Sequence, residues 1–105
     1  MSDVKKILSE LRNKLQALYG DKLAHVVLFG SHARGDADPD SDIDVLVVLQ
    51  GKMNTGEEIQ RTGEIVAGLS LENDAVISCV FMDENRFLHK NGPFLRNIRK
   101  EGIAA

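Results

Sequence analysis

Apolar residues recur along this chain with two different periods. Val4, Ile7, Leu8, Leu11, Leu15 and Leu18 return at steps of three and four, which predicts an amphipathic first helix. Ser2 or Asp3 supplies a cap for its start, and Gly20 stands where a left-handed residue ends a helix. His25 to Phe29 (HVVLF) is a short β-branched run closing on Gly30-Ser31, the pattern of a buried strand followed by a tight turn. Residues 31–41 (SHARGDADPDS) are turn formers and charges, where Pro39 bars a long helix and His32 to Gly35 has room for one helical turn. Ile43 to Leu49 (IDVLVVL) predicts a second strand, closed by Gln50-Gly51.

From Thr55 to Leu71 the helical spacing returns, with Ile59, Val66 and Leu69 on one expected inward face and Gly56, Gly63 and Gly68 weakening it. Ala75 to Met82 (AVISCVFM) predicts a third strand, after which Asp83 caps a short helical turn and Asn91-Gly92-Pro93 breaks it. Phe94, Leu95 and Ile98 set up a final short helix with Arg96, Arg99 and Lys100 outward. The order α-β-turn-β-α-β-α describes an α/β (α+β) architecture, one small sheet backed by helices. No repeat, low-complexity tract or linker interrupts it, so residues 1–105 read as a single domain.

Composition narrows the function classes. With 43% apolar and 28% charged residues the chain is globular rather than disordered. A formal net charge of −3 lacks the positive field of a nucleic-acid binder, so no direct nucleic-acid binding is expected. The lone Cys79 excludes a disulfide framework or a cysteine-cluster zinc site. The longest apolar run, Ala75 to Met82, falls well short of the ~18 residues a membrane span needs, and no signal-peptide core opens the sequence. A cytoplasmic domain is the expectation.

The densest chemistry lies between Gly30 and Asp44. Asp42 and Asp44 stand two apart at the head of a strand, so both carboxylates emerge on one face and can share hard divalent cations such as Mg²⁺, one or two of them. Asp44 lies inside an apolar run, where a carboxylate is costly unless a cation compensates it. Gly30 at a strand end permits close approach of a ligand to the backbone, and the turn after it offers amides to an anion. Ser31 can donate its hydroxyl to a phosphate or cap the turn. The alternation Asp36, Asp38, Asp40, Asp42 imitates a calcium loop but lacks the glycine and glutamate such a loop requires. His25, His32 and His89 show no metal-ligand spacing, though His32 beside Ser31 can face a nucleotide. Arg34 either presents a planar fork to phosphate or pairs with nearby aspartates.

Gly30-Ser31, ten intervening residues, then Asp42-Ile43-Asp44 resembles the signature of the DNA polymerase beta-like nucleotidyltransferase superfamily. The whole stretch GSHARGDADPDSDIDVLV is similar to the minimal nucleotidyltransferases, the small single-domain branch. The resemblance implies a mixed sheet with helices, an NTP (ATP by preference) with its triphosphate over Gly30 and Ser31, and Mg²⁺ on Asp42 and Asp44. It implies transfer of a nucleoside monophosphate to a hydroxyl with release of pyrophosphate. It further implies a small helical partner protein of the HEPN toxin type, this chain being the antitoxin that modifies it. The family's pattern also has a third acidic residue on the next strand. Here the matching position is Ser78, and Asp74, with Glu72 behind it, is the candidate stand-in. A catalytically impaired module that neutralises its partner by occlusion is the alternative. For either role, Phe94, Leu95 and the Arg96, Arg99, Lys100 face form the expected docking element.

Overall fold

The three-and-four spacing produces a first helix, α1 (Val4–Tyr19), whose Ile7, Leu8, Leu11 and Leu15 are buried. The computed structural model describes residues 4–105, so the expected Ser2 or Asp3 cap lies outside the described residues. A 3₁₀ turn (Gly20–Lys22) leads into β1 (Leu23–Phe29), and a single helical turn, α2 (Ser31–Arg34), follows the Gly30 corner. Then come β2 (Ile43–Leu49), α3 (Thr55–Asn73), β3 (Ile77–Asp83), α4 (Glu84–His89), α5 (Pro93–Glu101) and β4 (Ile103–Ala104).

The sheet is mixed, in the order β3-β2-β1-β4. Strands β1 and β2 run antiparallel with Val26 opposite Val47 and Phe29 opposite Asp44. Strand β3 runs parallel to β2, with α3 as the crossover a parallel pair needs, and sets Ser78 beside Asp44. Alternation along the strands sorts their side chains into two layers. On one face Val26, Leu28, Val45, Val47, Ile77 and Phe81 pack with residues of α1 and α3. On the other, Val27, Leu46, Val48 and Met82 meet Leu95 and Ile98 of α5 and Phe87 of α4. Asp44 and Ser78 share the parity of this second face, one pair beyond Leu46 and Val80.

Three features depart from the sequence pattern. On α3 the expected Leu69 is buried and Val66 packs against the core, but Ile59 is 53% exposed, and Glu58 and Thr62 are buried in addition. Glu58 is buried because its Oε1 accepts from the Tyr19 hydroxyl at 2.7 Å and from Arg61 at 3.0 Å. Burial and this carboxylate neighbour push the Tyr19 hydroxyl well above its ordinary value. An apolar count passes over Glu58 and Thr62 because they are polar groups whose hydrogen bonds are satisfied inside the protein. The fourth strand, β4, pairs with β1 through Val27 and Leu28, too short a segment to show a period. In α5, Leu95 is core rather than docking surface, and Arg99 is committed to Asn91 Oδ1, Phe87 O and Lys90 O at 2.7, 2.8 and 2.9 Å. The proposed docking face therefore loses two of its members; Phe94 stays 39% exposed and stands edge-on to Phe29.

Candidate active site

Gly30 turns the chain between β1 and α2 with φ 78° and ψ −158°, a conformation that side chains rarely adopt. Its carbonyl accepts from the amides of Ala33 and Arg34, both at 3.1 Å. As the first residues of the turn, Ser31 and His32 have amides with no intrahelical acceptor, the arrangement that favours an anion. The space a Cβ would occupy on Gly30 is taken by Asp44 Oδ2 and its carbon skeleton. The sequence assigned Gly30 to ligand approach; the structure adds that it admits the Asp44 carboxylate.

Asp42 is exposed and Asp44 half-buried at the head of β2. Burial, and then the negative charge of Asp42, raise the Asp44 carboxyl above its ordinary value, while His32 and Arg34 pull it down. Two hard oxygen donors whose charges oppose one another fit a divalent cation, which relieves both the repulsion and the burial. His32 is half-buried, and its Nε2 lies 3.0 Å from the Ser41 carbonyl, so that nitrogen carries a proton and donates. The link ties α2 to the loop that delivers Asp42. Within that loop Ser41 Oγ accepts from the Asp38 amide at 3.0 Å. Arg34 pairs with Asp36 at 3.2 Å and Glu101 at 3.4 Å, the second of its two expected roles, and these partners hold its proton more firmly.

The third carboxylate is not replaced among the described residues. No three His, Cys, Asp or Glu side chains there converge as a metal-binding group, so Asp74 and Glu72 do not join Asp42 and Asp44. Asp74 has another reason for its identity: it caps the C-terminus of α3 with φ 47°, its amide donating to the last turn. Aspartate tolerates that left-handed conformation better than most residues. Ser78 is the exposed neighbour of Asp44 on β3.

A family model described as a nucleotidyltransferase domain matches residues 8–104. The chain belongs to that family. A Methanocaldococcus jannaschii relative, named "Putative protein adenylyltransferase", is 40% identical over 76 residues, covering 72% of this chain and 76% of that one. A structure described as a candidate minimal nucleotidyltransferase shares the fold of this nucleotidyltransferase domain, with TM-score 0.62 and 23% identity over 97% of this chain and 95% of that one. So does a toxin–antitoxin crystallised with AMP-PNP, with TM-score 0.60 and 23% identity over 90% of this chain and 68% of that one.

Elsewhere in the domain the remaining candidates have ordinary roles. Cys79 is half-buried against the first core layer, and burial pushes its thiol up to about 11. The His25 ring packs at 5.1 Å from Phe87. No helix among the described residues is long and apolar enough to cross a membrane. The residue that sequence reasoning left open was His32; its place next to Ser31 was the available signal, but its partner, the Ser41 carbonyl, lies nine residues away on the loop.

Proposed function

We propose that this domain transfers AMP from ATP to a hydroxyl on a partner protein in a Mg²⁺-dependent reaction, and serves as the antitoxin to a small helical HEPN-type toxin. The observation that carries the reading is the Asp44 carboxylate seated on the Gly30 backbone, which puts the candidate cation site against the candidate phosphate turn. Ser31 and the α2 amides would hold the triphosphate, and Asp42 and Asp44 would hold the cation. Bound there, Mg²⁺ supplies charge neutralisation to the phosphate oxygens. The acceptor oxygen bonds to the α-phosphorus, the bond from that phosphorus to the oxygen bridging the β-phosphate breaks, and pyrophosphate leaves with the electron pair. The hydroxyl proton passes to solvent or to a basic group of the acceptor.

Ser78 in the place of a third acid favours a second reading, an impaired transferase that works by covering its partner. One experiment separates the two. The chain is co-expressed with a small helical protein encoded beside it, purified through a tag on one, and the partner's mass is measured. An added nucleoside monophosphate, lost in Asp44→Asn, supports transfer. Co-purification of an unmodified partner supports occlusion, and neither result overturns both.

A further inference from the structure

An open groove of about 1140 Å³ lies at the end of the sheet, between the loop 37–41 and the α3–β3 turn. Its walls carry Asp38, Asp40, Glu72 and Asp74, and no lysine or arginine among the described residues lines it. Acidity alone would mark a solvated rim. Two apolar side chains change that. Leu71 and Val76, 83% and 58% exposed, are the most exposed large hydrophobic residues among the described ones, and both line this groove. Apolar side chains left this exposed beside charge of one sign offer a partner a place to dock. The groove adjoins the candidate active site, because His32 and Ser41 form its border and are bonded to each other.

We propose that this groove receives a cationic amphipathic segment of the acceptor protein, with an apolar side chain seated between Leu71 and Val76 and Lys or Arg side chains against the four carboxylates. The inference rests on the reading of a protein acceptor and names the surface and charge by which that acceptor is held. Charge complementarity selects this occupant: four carboxylates without a basic side chain among the described lining residues match Lys and Arg side chains of a partner. Docking here leaves Asp44 and Ser78 uncovered on the neighbouring face, so a hydroxyl carried elsewhere on the same partner can still reach them.

The probe is a labelled helical peptide of lysines and leucines, titrated with the full chain by fluorescence anisotropy, with a glutamate–leucine peptide as control. The expected result is binding of the cationic peptide only, weakened as salt is raised. Leu71→Asp and Glu72→Lys should each weaken it about tenfold or more, as loss of a central anchor does. Ile59→Asp, at an apolar position of α3 that is 53% exposed and outside the groove, should change it less than about twofold. Equal binding of both peptides, or equal loss in Ile59→Asp and Leu71→Asp, overturns the proposal. So does concentration-dependent dimerisation that Leu71→Asp abolishes, which assigns the groove to a second copy. Mg²⁺-ATP titration of the same proteins keeps the two readings apart. Loss of nucleotide binding in the unmodified chain sinks the transferase while leaving peptide binding to be judged on its own.

Discussion

The two faces of the sheet are covered to different extents, and the difference locates the chemistry. One face is closed along its length by α1 and α3, with Leu11, Leu15, Val45 and Val47 fully buried. The other is covered by α4 and α5 over Leu46, Val48 and Met82, and that cover stops before Asp44 and Ser78. Packing fixes the closed face, whereas at the open end polar groups face solvent and Gly30 and Asp44 are tightly fitted to each other. The chemistry thus sits at the uncovered end of a sheet whose two faces both carry core.

The largest test of that contrast is a core truncation. Leu15→Ala should cost about 2–5 kcal/mol in urea unfolding, as buried leucine cavities do. Val80→Ala on the open face, at a position 38% exposed, should cost less than about 1 kcal/mol. Equal losses would show the two faces to be equally packed.

Next in size is the Gly30 corner. Gly30→Ala places a methyl group on the Asp44 carboxylate and forces alanine to positive φ, so Mg²⁺-dependent ATP binding should disappear and stability fall by about 1–3 kcal/mol. Adding Asp44→Ala to the same protein should restore part of the stability and none of the binding. Independent, additive losses in this double-mutant cycle would mean that the two residues do not press on each other.

Ser78→Asp tests the open face in the other direction. A carboxylate beside Asp44 should tighten Mg²⁺ binding and, where a missing base limits transfer, raise the rate towards the ~10²-fold that a general base contributes. An unchanged rate with tighter Mg²⁺ binding would place the base on the acceptor.

The sharpest small effect is in pH. The folded Asp44 carboxyl is raised by burial and by Asp42, so the folded state binds its proton more tightly than the unfolded state does. The associated stability is present at acid pH and is lost as pH rises past the ordinary carboxylate range through the folded value. In EDTA, Asp44→Asn should abolish that decline, leaving a thermal midpoint at pH 7 equal to or above that of the unmodified chain. A mutant less stable at neutral pH would contradict the electrostatic reading of this corner.

Much of this contrast was legible from residue order. Strand β2 occupies the expected Ile43 to Leu49, and Ser78 falls beside Asp44 as alternation required. Periodicity works there because burial on both faces leaves few other choices. It failed in part on α3, where Leu69 and Val66 turn inward as expected but Ile59 is exposed, and the hydrogen-bonded Glu58 and Thr62 take places that a hydrophobic count reads as surface. It also gave Asp74 a chemical role when backbone geometry at a helix end accounts for it. The hydrogen bond from His32 to Ser41 depends on how an eight-residue loop, Gly35 to Asp42, folds back, and no local pattern encodes that.

The contact between Gly30 and Asp44 also gives the history of such a site a direction. While Asp44 holds its carboxylate against Gly30, a side chain at position 30 meets it and needs a positive φ, so change at the glycine is costly as long as the carboxylate stays. Shortening Asp44 opens that space, and a larger residue at position 30 then obstructs the return of aspartate. On this geometry loss of the carboxylate is the easier first step, and a later substitution of the glycine works as a ratchet against its return.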